Sequence, residues 1–515
     1  MKLAINEVRK AQMIDILDEV SNSWSVVVPT VLTALELGGL VSAWHAINKV
    51  RTSQGAVAWA VGLVALPILV LPLYWVFGRN RFAGYREAIR VVEQQHKDSV
   101  EAARRALYKG KIAAISSTES VLGGLADILG APVSHGNRFE LLIDGGPFFE
   151  RLLQQIASAQ RYVYAQFYII RDDELGNQFA DALCERARAG CAVRLLYDEI
   201  GSVTLSARYL QKLRDGGVDV HAFNTRQGWI NRFQLNFRNH RKSLVVDGRR
   251  TIVGGLNVGD EYLGRVDWTT RWRDTGLFVD GPVAQTVQAV FAKDYYWATR
   301  SDLPEAVWVN DSNQRETTDV ADEATTASPP EHTSGSASGF ATGPTDQLDR
   351  ATMMFAAAAG CSKHRLWIST PYFVPDETCI NALSMALARG IDVRIIVPTQ
   401  TDQWLAHLAG FYYEELFESI GIPVYRYKDG FLHQKCVLVD DQLVLIGSTN
   451  LDNRSLYLNF ELMLAADEPK LIRQVAEMLQ QDFKDSVRAD PRRSRLRPWY
   501  VRIGTVLARL FSPVL

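Results

Sequence analysis

Two stretches of this 515-residue chain carry the same chemically able residues at the same intervals. The first reads His240-Arg241-Lys242, then Asp247, then Gly254-Gly255 and Asn257. The second reads His433-Gln434-Lys435, then Asp440, then Gly447-Ser448 and Asn450. In both copies the step from histidine is two residues to lysine, seven to aspartate, fourteen to glycine and seventeen to asparagine. A lone His-x-Lys reads as an ordinary strand with a solvated face; the repetition is the signal.

Residues at i and i+2 of a strand share a face, so each copy can present an imidazole and an ammonium together. The following glycine lets a ligand approach the backbone closely. Doubled, the set is two imidazoles, two ammoniums, the amides of Asn257 and Asn450 and the hydroxyl of Ser448, with no ligand set for a metal and no cofactor required. This inventory suits phosphodiester chemistry. Lysines and amides hold the non-bridging oxygens and stabilise charge in the transition state. One imidazole attacks phosphorus, and the other protonates the departing alkoxide and later activates an acceptor. His240, Lys242, Asp247, His433, Lys435 and Asp440 form the expected catalytic set, although aspartates in turns also serve structure. Gly255, Asn257, Ser448 and Asn450 are expected to face substrate.

The elements that must position these residues alternate as strand and helix. Strand-like runs at Phe139–Ile143, Tyr162–Ile170, Val193–Tyr197, Val218–Phe223, Ser243–Val246 and Thr251–Val253 enclose helical patterns at Asn177–Ala189 and Leu205–Arg214. The order recurs in Leu366–Ser369, Val393–Val397, Val424–Tyr427, Val437–Val439 and Leu443–Ile446, with helices at Thr378–Ala388 and Gly410–Ser419. The fold class is α/β, in two tandem halves at 135–309 and 345–490. Residues 310–344, rich in Ser, Thr, Ala and Gly, read as a flexible linker, and 81–134 as a helical connector.

The two motifs resemble the duplicated signature of the phospholipase D superfamily. The second continues Asn450-Leu-Asp452-Asn-Arg454-Ser455 to Asn459-Phe-Glu461, which is similar to the bacterial cardiolipin synthase branch. Asn239-His-Arg-Lys242, Gly259-Asp260-Glu261-Tyr262, Trp272-Arg-Asp274-Thr275 and Thr370-Pro371-Tyr372-Phe373 match it too. The resemblance implies α/β/α sandwich halves sharing one active site, and a reaction in which two phosphatidylglycerols yield cardiolipin and glycerol through a phosphohistidine. It adds Glu461 and Asp274 to the site, Glu461 orienting the imidazole of His433 and Asp274 that of His240. His240 is taken as the nucleophile and His433 as the general acid and base, an assignment that the near-symmetry of the copies leaves open to exchange.

Both ends of the chain point to lipid. Ala56–Phe77 is an uncharged run long enough to span a hydrocarbon core, and Trp24–Ile47 is a second candidate with Glu36 in its middle. Residues 1–80 are therefore expected to form a hairpin of two transmembrane helices, at 24–47 and 56–77. Basic flanks at Lys2, Arg9 and Lys10 and at Arg79, Arg81, Arg86 and Arg90 place both outer ends, and the catalytic body, on the cytoplasmic side of a bacterial inner membrane. At 491–515, six arginines among Trp499, Tyr500, Leu510 and Phe511 read as a basic interfacial segment. The expected partners are membrane phospholipids, phosphatidylglycerol and cardiolipin. A net charge of −2 lacks the broad basic surface of a nucleic-acid binder, which speaks against a nuclease. Five cysteines without a C-x-x-C pair fit a reducing compartment. A hydrolase passing the phosphatidyl group to water is the nearer rival, and a scaffold would not need His and Lys in both copies.

Overall fold

The computed structural model describes residues 2–78, 82, 84–85, 87, 120–224, 236–269, 271–308, 334–490 and 497–515. Most of the expected connector, the first part of the expected linker, and the basic residues Arg79, Arg81, Arg86, Arg90, Arg492, Arg493 and Arg495 lie outside these. The chain divides into two units, Met1–Phe82 with Arg226–Asn236, and Ala83–Thr225 with Phe237–Leu515.

The first unit holds helices α1 (Lys2–Lys49), α2 (Ser53–Ala65) and α3 (Pro67–Phe77). Among the described residues only α1, over Val27–Lys49, is long and apolar enough to cross a membrane. The expected second span at 56–77 is not one continuous helix but falls in α2 and α3. Pro67 has no N–H to donate to the carbonyl of Leu63, and the residue before a proline avoids helical angles. Leu66 leaves the helix at φ −141° and ψ 61°, and the chain folds back on itself. Trp59 and Tyr74 then stack edge to face with ring centroids 5.4 Å apart, where a straight helix would separate them by about 22 Å. Glu36 is exposed on α1 and does not turn inward to a neighbouring helix.

The second unit is built on one continuous sheet whose two wings mirror each other. In the first wing, Tyr162–Phe167, Ala192–Asp198 and Asp219–Phe223 run parallel. Ser243–Val246 and Arg250–Gly254 follow antiparallel, and Thr275–Asp280 joins Arg250–Gly254 to Val133–Ile143. The second wing repeats this with parallel Arg365–Ser369, Asp392–Pro398 and Val424–Tyr427, then antiparallel Cys436–Val439, Leu443–Gly447 and Asn459–Ala466. The wings meet where Val133–Ile143 pairs with Gly335–Thr342. Each wing buries its own outer core beneath its crossover helices. Helices Val283–Thr299 and Pro469–Lys484 cover the opposite face over a core shared by both wings. This is a three-layer α/β/α arrangement in duplicate.

One expected boundary is corrected by that junction. Residues 335–342, assigned from composition to the linker, form a central strand between the wings. Its sequence, Gly-Ser-Ala-Ser-Gly-Phe-Ala-Thr, is small because a helix lies close over it: a Cβ at Gly339 would sit 2.8 Å from Cγ2 of Thr286. Low hydropathy concealed a strand whose smallness is a packing requirement.

Candidate active site

Two short parallel pairings bring the motifs together. Arg238–Asn239 pairs with Asn459–Phe460 of the second wing, and Trp272–Arg273 pairs with Phe431–Leu432. The backbone N–H of His240 donates to the carbonyl of Phe460 at 2.9 Å, and that of His433 to the carbonyl of Arg273 at 2.7 Å. Each motif histidine is thus pinned by the other wing before its side chain makes any contact.

The side chains repeat the exchange. Nδ1 of His240 lies 2.9 and 3.0 Å from the two carboxylate oxygens of Glu461. Nδ1 of His433 lies 2.7 Å from Oδ2 of Asp274. This reverses the expected pairing of Glu461 with His433 and Asp274 with His240. Both carboxylates are fully buried behind the imidazoles, so they orient the rings and do not face substrate. Ser448 Oγ donates to Oε2 of Glu461 at 2.5 Å and Asn459 Nδ2 to Oε1 at 3.2 Å. Asp274 accepts the backbone N–H of Thr275 at 2.7 Å. A carboxylate on Nδ1–H fixes the tautomer and leaves Nε2 with the free lone pair.

Lys242 and Lys435 are buried, each with Nζ donating to the carbonyl of its own histidine, Lys242 at 2.6 Å. Lys435 Nζ also stands 2.9 Å from Nδ1 of His433. Burial pushes His240 down to about 4, with the ammoniums of Lys242 and Lys435 adding and Glu461 opposing. Burial likewise pushes His433 down to about 4, with Lys435 adding and Asp274 opposing. Burial lowers Lys435 to about 8 and holds Lys242 well below the ordinary lysine range. The groups of the two wings therefore act on one another electrostatically. Both imidazoles are neutral at neutral pH. An anion beside the lysines would offset their push and raise both imidazoles.

Other expected site residues have different work. Asp247 accepts the backbone N–H groups of Gln160, Arg161 and Tyr162 at 2.8 to 3.0 Å. Asp440 does the same for Lys363, His364 and Arg365 at 2.8 to 2.9 Å. Both sit in left-handed turns at φ 52°, clamping the far end of the strand that each motif opens. These contacts give both aspartates structural work at the strand ends. Asn257 is fully engaged, accepting from Ile169 N–H at 3.1 Å and donating to Tyr262 Oη at 2.8 Å. Asn450 keeps Oδ1 buried and without a hydrogen-bond partner among the described residues. Gly255 faces Asp274, whose Oδ1 would lie 2.2 Å from a Cβ there, while Ser448 holds Glu461.

Several residues escaped the sequence reading. Tyr168 packs edge-on against His240 with centroids 5.0 Å apart and lies 5.3 Å beneath the ammonium of Lys242. Trp272 and Phe431 wall His433 at 5.2 and 5.6 Å. Behind the motifs lie two buried carboxylates. Asp294 accepts from Arg241, Asn239, Gln166 and Tyr85 at 2.6 to 2.9 Å. Asp482 accepts from Arg273 and Gln434 at 2.8 to 3.0 Å. The equivalent placement of both on the last helix of their half was the available signal.

A duplicated α/β/α body with two crossed His–carboxylate pairs and two buried lysines is an arrangement suited to phosphodiester transfer. A family model described as cardiolipin synthase, PLD-like domain, matches residues 152–295 and 357–483, one stretch per half. The chain is 40% identical over 488 residues to a cardiolipin synthase A of Pseudomonas fluorescens, covering 94% of this chain and 98% of that one. It is 40% identical to a cardiolipin synthase A of Pseudomonas aeruginosa, covering 94% and 95%. Phosphatidylserine synthase of Haemophilus influenzae Rd KW20 shares the fold, with TM-score 0.58, 18% identity, and coverage of 77% of this chain and all of that one. The chain belongs to the cardiolipin synthase family of phospholipase D-like proteins.

Proposed function

We infer that this chain is a cardiolipin synthase, moving a phosphatidyl group from one phosphatidylglycerol to another through a phosphohistidine. The crossed pairing of His240 with Glu461 and His433 with Asp274 carries this reading, because it occupies both Nδ1 atoms and leaves each half an Nε2 with a free lone pair. Nε2 of His240 attacks phosphorus. The P–O bond to the headgroup glycerol breaks, and His433 gives its proton to the departing alkoxide. A headgroup hydroxyl of the second phosphatidylglycerol then loses its proton to His433 and attacks. The P–N bond breaks, and cardiolipin leaves with His240 restored. Lys242 and Lys435 stabilise the charge on the non-bridging oxygens in both transition states. The unpartnered Oδ1 of Asn450 is an acceptor available to a headgroup hydroxyl.

The substrate reading draws on the lipid-seeking surfaces. Helix Trp499–Arg509 exposes Trp499, Tyr500, Ile503, Val506 and Leu507, and Leu510 and Phe511 beyond it are exposed too. Arg497 and Arg509 lie over the rings of Phe411 and Tyr412, at 3.7 and 3.9 Å. Such a helix suits the headgroup boundary of an anionic membrane. The catalytic body belongs on the cytoplasmic face of the inner membrane, where the basic residues flanking the apolar segments would place it.

Purified protein given phosphatidylglycerol alone should yield cardiolipin and glycerol in equal amounts. Phosphatidic acid without cardiolipin would make it a hydrolase. No turnover by membrane-bound, folded protein would leave only a scaffold.

A further inference from the structure

The N-terminal unit carries a consequence for how the chain sits in its membrane. The apolar segment after α1 turns back at Leu66, and the depth of that turn is fixed by contacts with α1. A Cβ at Gly39 would meet the carbonyl oxygen of Leu63 at 2.5 Å and Cβ of Pro67 at 3.1 Å, and one at Gly38 would meet Leu71 at 3.2 Å. Gly38 and Gly39 lie at the centre of Val27–Lys49, the stretch long enough to cross. The tip of the α2–α3 hairpin therefore reaches the middle of α1 and goes no further.

The arms have matching lengths. The 13 residues of α2 and the 11 of α3 rise about 20 and 16 Å at 1.5 Å per residue. Half of a hydrocarbon core is about 15 Å. Near the open end, His45 Nδ1 meets Tyr74 Oη at 2.6 Å, and Trp75 Nε1 donates to Ser42 Oγ at 3.2 Å. These aromatic and polar groups are of the kind that gathers at a membrane interface. Leu63 and Tyr74 are fully buried between the helices, whereas Val57, Val61, Val64, Leu66, Ile68 and Leu69 are exposed. At the end of α3, the carbonyl of Val76 accepts from Asn236 Nδ2 at 3.2 Å. Four residues further along the chain is His240.

We propose that α2 and α3 form a re-entrant hairpin buried in one leaflet only, so that the chain crosses the bilayer once, through α1. Its partner is the acyl region of the leaflet on the catalytic side. Lys49, Arg51, Arg79, Arg81, Arg86 and Arg90 then all fall on that side, opposite Lys2, Arg9 and Lys10. The positive-inside bias still makes the catalytic side cytoplasmic, but the N-terminus moves to the other face.

Two measurements on the full chain test this. Asn6→Cys and Ser53→Cys are each treated with a membrane-impermeant maleimide in intact spheroplasts, against the wild-type chain as background. Asn6→Cys should label in intact spheroplasts and Ser53→Cys only after permeabilisation. The reverse result means two crossings, and labelling of both only after permeabilisation means none; either overturns the proposal. Gly62→Cys with Val70→Cys tests the fold-back, since Val70 Cγ1 lies 3.2 Å from where a Cβ at residue 62 would stand. A disulfide should form under mild oxidation, and a straight helix could not bring the pair within reach. Failure to cross-link in membrane-inserted protein would overturn the hairpin. Cardiolipin formation in the same membranes is a separate readout, bearing on the enzymatic reading alone.

Discussion

In the first half of the catalytic body the residue between histidine and lysine is Arg241, whose guanidinium closes on Asp294 of the same half. In the second half it is Gln434, and the guanidinium on Asp482 is that of Arg273, from the first half. The carboxylates that orient the imidazoles differ as well. Glu461 takes His240 with both oxygens and is held by Ser448 and Asn459, whereas Asp274 takes His433 with one oxygen, and Gly255 stands where its counterpart is Ser448. The shorter aspartate reaches its histidine because Gly255 offers no Cβ; the longer glutamate leaves room for a hydroxyl that braces it. Each half thus supplies the carboxylate that orients the other half's histidine. Neither half holds a complete His–carboxylate pair alone, and duplication here has become mutual dependence.

That comparison can be broken most severely at the carboxylates. Glu461→Gln and Asp274→Asn each remove the acceptor that sets the tautomer, and kcat should fall by up to about 10⁴-fold. They should differ in the step lost. With an activated leaving group, Asp274→Asn should still form the covalent intermediate, and Glu461→Gln should not. Equal burst amplitudes in rapid-quench assays would mean that the wings are interchangeable.

Gly255→Ala and Ser448→Ala sharpen the difference at matched positions. The first drives a methyl into Asp274 and should cost about 10² in activity, while the second removes one brace from Glu461 and should cost about tenfold. A milder effect at Gly255 would contradict the close approach.

The pH profile asks about Lys435. Its ammonium is held at about 8 by burial, so charge stabilisation is present below that value and is lost as the pH rises through it. At pH 9, kcat/KM should be down about tenfold from its level at pH 7. Lys435→Arg should lower the rate and move the alkaline limb upward. An unmoved limb would assign it to another group.

The smallest effect on chemistry is expected at the strand ends. Asp247→Ala and Asp440→Ala each strand three backbone N–H groups and should destabilise by about 1–3 kcal/mol. Activity per folded molecule should stay within about twofold, read from thermal melts beside titrated activity. A large loss of kcat without a change in melting would restore both aspartates to the catalytic set.

The histidines, lysines and their spacing were legible because repetition marks them, and strands such as Ser243–Val246 and Val424–Tyr427 were legible from apolar runs. The crossed pairing was not. It depends on Arg238–Asn239 and Trp272–Arg273 pairing across the halves, and two-residue strands leave no periodic trace. Asp247 and Asp440 looked catalytic by company, and only their positive φ and backbone partners show them as clamps. The strand Gly335–Thr342 was hidden by the small residues its packing demands, and the break at Leu66 lay inside a run whose composition alone promised a continuous span.

Nε2 of His240, whose ring Glu461 holds through Nδ1, is proposed to take the phosphatidyl group. Acid quench of enzyme turning over phosphatidylglycerol labelled in its phosphate, followed by peptide mapping, tests it most directly. The label should map to His240 in the wild type, persist there in His433→Asn, and vanish in His240→Asn. Label on His433, or an adduct surviving in His240→Asn, would contradict the account.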